Sequence, residues 1–261
     1  MYLSIDIGGT KTLIAAFSKR GRVMRRCKFK TAQGYRTFVR ELSEHLEAFT
    51  RYHFKSIVVA IPGTVQKNYS VHFGNRDWDR IDLLTPIKNL FNCPIYFEND
   101  ASLGALSEAY RLPGRTVFLT FSTGIGGGVV EHNRIQPESS NFEPGHKKYY
   151  YGGETKEWED IAAASAIESH YHVDRATDLR KKAVMQDIAA RISLGLPDII
   201  QTYHPNTIVL GGPMGKIFRL YAKYLPDSLG VKFRRPRRPN ESVIYGCYLL
   251  AKQKSAPKER E

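Results

Sequence analysis

Apolar residues along the chain fall into short runs separated by glycine and proline. Tyr2 to Ile7 and Thr12 to Phe17 are predicted strands on either side of the tight turn Gly8-Gly9-Thr10-Lys11, so the chain opens on a β-hairpin. Phe38, Leu42, Leu46 and Phe49 repeat one helical face, predicting a helix from Tyr35 to His53. Lys55 to Ile61 follows as a buried strand ending at Pro62-Gly63. Thr85-Pro86 reads as an N-cap with proline at the first helical position, leading to the strand Pro94 to Phe97 and a helix from Ala101 to Tyr110.

After Pro113-Gly114 the pattern restarts. Thr116 to Phe121 is a predicted strand, a glycine-rich turn runs through Gly128, and Val129 to Ile135 is the returning strand. Helices are expected over Trp158 to His172, Asp178 to Tyr203 and Val243 to Lys252, a strand over Thr207 to Leu210, and a frayed tail over Ser255 to Glu261. Two hairpin openings predict two related α/β domains: residues 1–113, completed by the helix at 243–252, and residues 114–242.

Composition narrows the class. Hydrophobic content of 42% with 25% charged residues in 261 residues is that of a folding globular chain. No apolar run reaches the roughly 20 residues needed to span a bilayer, and the N-terminus has no signal-peptide pattern, so a cytoplasmic protein without a membrane partner is expected. Three dispersed cysteines, Cys27, Cys93 and Cys247, fit free thiols rather than a disulfide framework. A formal charge of +13 favours anionic partners generally. The run Arg234-Arg235-Pro236-Arg237-Arg238-Pro239 has no interleaved aromatics and matches no DNA-reading module, so it reads as a solvated basic loop and nucleic acid is not the expected partner.

Three segments carry candidate chemistry. Asp6-Ile7-Gly8-Gly9-Thr10-Lys11-Thr12 offers glycine backbone for close phosphate approach, the hydroxyls of Thr10 and Thr12, the charge of Lys11, and Asp6 to hold Mg²⁺ through water; an ordinary Gly-Gly hairpin turn is the bland alternative. Ser122-Thr123-Gly124-Ile125-Gly126-Gly127-Gly128 repeats the arrangement without matching Walker A or the dinucleotide fingerprint. Two such loops imply a nucleoside triphosphate. Glu98-Asn99-Asp100 stands between a buried strand and a helix, where α/β proteins place ligands; Asp100 is equally a favoured helix cap.

In their order and spacing these three segments resemble the phosphate, catalytic and second phosphate motifs of the ROK family of sugar kinases, glucokinase-like and N-acetylhexosamine kinase-like. Ile61-Pro62-Gly63, Glu143-Pro144-Gly145-His146 and Ile208-Val209-Leu210-Gly211-Gly212 extend the resemblance from Tyr2 to Lys252. It implies an actin/hexokinase-like (ribonuclease H-like) fold, two α/β domains with a cleft between them, a homodimer, and ATP with Mg²⁺ in the cleft. The implied nucleotide set is Asp6, Gly8, Gly9, Thr10, Lys11, Thr12, Thr123, Gly124, Gly126, Gly127, Gly211 and Gly212. Asp100 would be the general base on a hexose or N-acetylhexosamine hydroxyl, and Asn99, Asp100, Glu143, His146 and Glu159 would converge on the sugar.

The sequence departs from the family at one place. Members commonly bind zinc through that histidine and three cysteines, whereas residues 146–159 contain no cysteine, so no structural zinc is expected. Tyr149, Tyr150 and Tyr151 are read as aromatic packing where a metal would otherwise organise the loop. Two alternatives to a kinase stay open: a non-catalytic sugar-binding protein and a sugar-responsive regulator of the same family, although Met1 leads directly into the first strand without a helix-turn-helix.

Overall fold

The computed structural model describes residues 1–65, 70–73, 78 and 81–256. The end of the expected polar tail, 257–261, lies outside them. The chain divides into two compact units, residues 1–107 with 243–261, and residues 108–242.

The first unit is built on a five-stranded sheet. The opening hairpin forms as β1 (Tyr2–Ile7) and β2 (Lys11–Phe17), extended by the edge strand β3 (Val23–Lys30). Helix α1 (Tyr35–Glu47) buries Phe38, Leu42 and Leu46 and stops earlier than its apolar spacing predicts; Phe49 is carried into the core by tight turns. β4 (Ser56–Ile61) is buried along its length. A small antiparallel sheet follows, β5 (Gly63–Val65), β6 (Ser70–Phe73) and β7 (Ile81–Asp82). Helix α2 (Leu84–Lys88) is capped by Asp82, whose Oδ1 accepts from the amides of Leu84 and Thr85; Thr85 therefore lies inside the helix and does not cap it. β8 (Ile95–Asn99) and α3 (Asp100–Ala109) complete the series.

The sheet order is β3-β2-β1-β4-β8, with β1, β4 and β8 parallel. Asp6 pairs with Ala60, and Ala60 with Glu98, so Asp6 and the start of α3 lie at the same carboxyl end. The C-terminal helix, Ser242–Lys254, belongs to this unit: Tyr248 stacks on Phe17 and Cys247 is fully buried under β1.

The second unit repeats the plan. β9 (Thr116–Phe121), β10 (Ile125–Glu131) and β11 (Arg134–Ile135) form an antiparallel meander, with β14 (Thr207–Gly211) and β15 (Lys232–Arg234) added in parallel on the other side of β9. Between them lie the hairpin β12 (Lys148–Tyr151) and β13 (Glu154–Glu157) and the helices α4 (Trp158–Ala162), α5 (Ala164–Tyr171), α6 (Lys182–Ser193) and α7 (Leu196–Tyr203). The expected helix 158–172 is thus two helices meeting at the extended residue Ala163, and the expected 178–203 helix breaks at Gly195. A Cβ at Gly195 would stand 2.5 Å from the ring of the buried Trp158. Short helices α8 (Gly212–Lys216) and α9 (Phe218–Tyr221) follow β14.

Among the described residues, no helix is long and apolar enough to cross a membrane.

Candidate active site

In the first unit the turn between β1 and β2 is closed by the Gly8 amide on the Lys11 carbonyl, 3.0 Å. Thr10 and Lys11 are exposed, and a Cβ at Gly9 would meet nothing within 4 Å, leaving room for a ligand to approach the backbone. Thr12 is different. Its side chain is fully buried, with the hydroxyl 3.0 Å from that of Thr31, which in turn donates to the Gly8 carbonyl at 2.8 Å. Thr12 braces the turn from beneath.

Asn99 and Asp100 divide the work at the start of α3. Asn99 Oδ1 accepts from the Ser102 amide at 3.1 Å, and its Nδ2 donates to the Gly63 carbonyl at 3.2 Å. The capping role that the sequence allowed for Asp100 therefore falls mainly to Asn99, three residues before the amide it satisfies. Asp100 Oδ1 accepts from its neighbour Ala101 at 2.7 Å. Asp6 is pushed up to about 7, first by desolvation and next by the charge of Asp100, with Lys28 opposing. Two carboxyls sharing one corner of a sheet end, one of them reluctant to ionise, form a donor set that a divalent cation would relieve.

In the second unit the glycines of the second loop serve two purposes. The turn is short, Ser122 to Gly124, closed by the Ser122 amide on the Gly124 carbonyl at 2.9 Å. Gly126, Gly127 and Gly128 belong to β10, paired with Thr120, Leu119 and Phe118, rather than to a loop. A side chain at Gly127 would strike the Phe118 carbonyl and the Phe142 ring. Gly211 and Gly212 likewise lie against Phe118 and Phe121, Gly212 at a φ of 68°.

Glu159, at the start of α4, lies in a slot made by Gly124 and Gly145. A Cβ at either would come within 2.6 Å and 2.5 Å of Oε2, and that oxygen accepts from the Ile125 amide at 3.3 Å. His146 Nδ1 is 2.9 Å from Glu157 Oε2 and 3.9 Å from Glu159 Oε1. The hydrogen bond that its ring donates to Glu157 lifts His146 above the ordinary imidazole range; desolvation opposes it, and the charges of Glu159, Glu157 and Glu143 add to the rise. Desolvation raises Glu143, with His146 opposing and Glu159 reinforcing. Glu143, His146 and Glu159 are thus one neighbourhood, beside the loop bearing Thr123 and Gly124.

The segment expected to be packed tyrosine is the β12–β13 hairpin, turned at Gly152 and Gly153, both at positive φ. Tyr149 donates to Asp198 at 2.6 Å and Tyr151 to Asp187 at 3.3 Å, while Tyr150 points to solvent with 74% exposure. Asp187 also binds Tyr171 at 2.7 Å and the buried Arg191 at 2.5 Å. Aromatic burial is thus only part of the account, since phenol–carboxylate hydrogen bonds to α6 and α7 fasten the strand. Reading the sequence missed Glu157, Asp187 and Asp198. The Gly152-Gly153 pair after Tyr149 to Tyr151 was the hairpin signal that would have found the first. A cavity of about 800 Å³ opens beside the hairpin, with Thr123, Lys156, Glu159, Asp160 and Arg191 among its lining residues.

Among the described residues, one group of three His, Cys, Asp or Glu ligand atoms lies within 4.8 Å, that of His146, Glu157 and Glu159. It contains no thiolate.

Comparison with known proteins follows the same lines. The model of the ROK family matches residues 2–238. The xylose repressor of Bacillus spizizenii is 28% identical over 180 residues, covering 59% of this chain and 47% of the repressor. The chain spans about half the length of the curated relatives it first matches. A glucokinase of Halalkalibacterium halodurans is 23% identical over 99% of this chain and 97% of its own. Among solved structures, a ROK family glucokinase from Streptomyces griseus in complex with glucose and AMPPNP superposes with a TM-score of 0.73 at 19% identity, covering 97% of this chain and 99% of that one. The α/β architecture, with one five-stranded sheet in each unit, is that of the actin-like sugar kinase fold.

Proposed function

This chain belongs to the ROK family, and from that premise we propose that it is a sugar kinase, transferring the γ-phosphoryl group of ATP to a hydroxyl of a hexose or N-acetylhexosamine. The observation that supports this most is the carboxyl pair of the first unit: Asp100 at the head of α3, bearing electrostatically on an Asp6 raised to about 7.

A sugar hydroxyl is a weak nucleophile, and a carboxylate that accepts its proton and aims its oxygen provides both orientation and base catalysis. Asp100 takes that role, held by the Ala101 amide and by the helix start that Asn99 caps. Thr10, Lys11 and the open backbone at Gly9 receive phosphate oxygens in the first unit, and Thr123 with Gly124 does so in the second. Mg²⁺, held by Asp6, would supply charge neutralisation of the transferring phosphoryl group. Glu143, His146 and Glu159 recognise sugar hydroxyls, for which carboxylates and an imidazole offer matched acceptors and donors. The protein acts as a cytoplasmic homodimer in this reading.

A coupled ADP-release assay over a panel of hexoses and N-acetylhexosamines tests the proposal; saturable turnover with one sugar supports it. The similarity to xylose repressors favours one other reading, a sugar-responsive regulator. Sugar binding without ADP release, at every sugar tested, would select that alternative.

A further inference from the structure

Thr31 stands just past the end of β3, outside the segments that carry the proposed chemistry. We propose that it is the positioning residue for the turn Gly8-Gly9-Thr10-Lys11: its hydroxyl holds the Gly8 carbonyl down, so that the turn keeps the shape in which it meets the phosphates of ATP. This rests on the kinase reading above, in which that turn receives phosphate oxygens.

The hydrogen bonds around Thr31 carry the argument. Its amide donates to the Thr10 carbonyl at 3.0 Å, and its hydroxyl donates to the Gly8 carbonyl at 2.8 Å. A hydroxyl has one proton to give. With that proton on Gly8, the 3.0 Å contact between the two threonine hydroxyls is donated by Thr12, and a directed chain runs from Thr12 through Thr31 to Gly8. Both threonines are buried, so bulk water competes little for these bonds.

Through this chain one side chain fixes a peptide plane to which it does not belong. The Gly8–Gly9 peptide is planar and trans, so its carbonyl and the Gly9 N–H point in opposite directions. Drawing the carbonyl onto Thr31 turns that N–H away from Thr31. The surroundings of Gly9 are open, since a Cβ there would meet nothing within 4 Å. Glycine on both sides gives this plane more rotational freedom than any other residue pair would. The Gly8 amide, committed to the Lys11 carbonyl at 3.0 Å, belongs to the preceding peptide and does not restrain it. Among the described residues no group other than Thr31 donates to the Gly8 carbonyl. A buried hydroxyl holding the one loose plane of an exposed turn is the support that a binding backbone needs.

Thr31→Val keeps the shape and removes the hydroxyl, and Thr31→Ser restores it. In the ADP-release assay the ATP KM of Thr31→Val should rise about five- to tenfold with the sugar KM within about twofold, while Thr31→Ser should stay within about twofold of the wild type for both. A merely structural role would lower the melting temperature and leave both KM values of the folded variant unmoved. An unchanged ATP KM in Thr31→Val, a sugar KM that rises in step with it, or a Thr31→Ser as impaired as Thr31→Val overturns the proposal, while wild-type turnover keeps the kinase reading standing. Should Thr31→Val not fold, Thr31→Ala removes the same hydroxyl with less bulk and is read in the same way. Failure of both to fold overturns the proposal, since Thr31 then serves the fold and not the turn. If the wild type phosphorylates no sugar, the kinase reading fails, and calorimetric titration with AMPPNP and Mg²⁺ decides instead. Binding weakened about five- to tenfold in Thr31→Val and restored in Thr31→Ser supports the positioning role; equal binding by all three proteins, or none by the wild type, overturns it.

Discussion

Replacing Asp6 by asparagine should flatten the pH dependence of stability in the first unit. The folded carboxyl titrates near 7 against an ordinary 3.8, because desolvation and Asp100 both disfavour its charge. A carboxyl with a raised folded value binds its proton more tightly in the folded chain, so its contribution is full below 3.8 and is lost as pH climbs through 7. Integrated from pH 5 to pH 8, the loss is about 2–3 kcal/mol, and partial solvent screening at the rim of the sheet trims it toward the lower figure. With a urea m-value of about 1.5 kcal/mol/M, the midpoint should fall by roughly 1–2 M across that range. Asp6→Asn removes the titration and most of the fall. The chain carries its own reporters: Trp78 lies in the first unit's core and Trp158 in the second's. Fluorotryptophan labelling with ¹⁹F NMR therefore reads the two units separately, and the difference should appear at Trp78. Mg²⁺ added at pH 7 should raise the wild-type midpoint and leave the variant's unmoved. Equal pH slopes for both proteins would refute the assignment of a strained carboxyl at Asp6.

Other substitutions probe the remaining groups. Asp100→Asn should lower turnover by about 10²-fold or more with ATP and sugar KM within a few fold, and should not lower thermal stability, since Asn99 holds the cap and the repulsion on Asp6 is relieved; near-wild-type turnover would remove Asp100 as base. Glu159→Ala empties the slot between Gly124 and Gly145 and should raise sugar KM about tenfold or more while ATP KM stays constant; lost ATP affinity would place the residue elsewhere. The double substitution Tyr149→Phe with Tyr151→Phe deletes two hydrogen bonds to α7 and α6, at about 1 kcal/mol each, and should speed proteolysis between residues 143 and 158. In that preparation and in the wild type, elemental analysis should find no stoichiometric zinc, and one zinc per chain would show that the hairpin is held by metal after all.

Much of the architecture was legible because it rests on local signals. Both opening hairpins, the buried strand at Ser56–Ile61 and the strand at Thr207–Gly211 are short apolar runs bounded by glycine or proline. What escaped depends on tertiary contacts. The break at Ala163 falls in an alanine-rich stretch with no helix breaker. It exists because the next residues turn back on the second loop, the Ser165 amide and hydroxyl bonding the Ser122 and Thr123 carbonyls. The edge strands Val23–Lys30 and Lys232–Arg234 are too charged to show an apolar pattern. Gly195 and Pro197 did mark the end of a helix, and the longer apolar spacing masked them. For the site, residue type and position singled out Asp100, while His146 and Glu159 came from the family resemblance. The division of labour between Asn99 and Asp100, and the pairing of Glu157 with His146, follow from which amide or ring nitrogen each oxygen reaches, which only the folded chain displays.

The fastening of the β12–β13 hairpin has a further consequence, for the protein's response to oxidants. A phenol donating to a carboxylate has no thiolate to convert to sulfenic acid or disulfide, so peroxide cannot release this hairpin as it would a cysteine-held one. All three thiols, Cys27, Cys93 and Cys247, lie in the first unit. Thiol oxidation would accordingly act on the half that carries Asp6 and Asp100, with buried Cys247 held well above the ordinary thiol range by desolvation and so slow to react. Glu143, His146 and Glu159, proposed to read the sugar, sit in a unit that contains no cysteine at all.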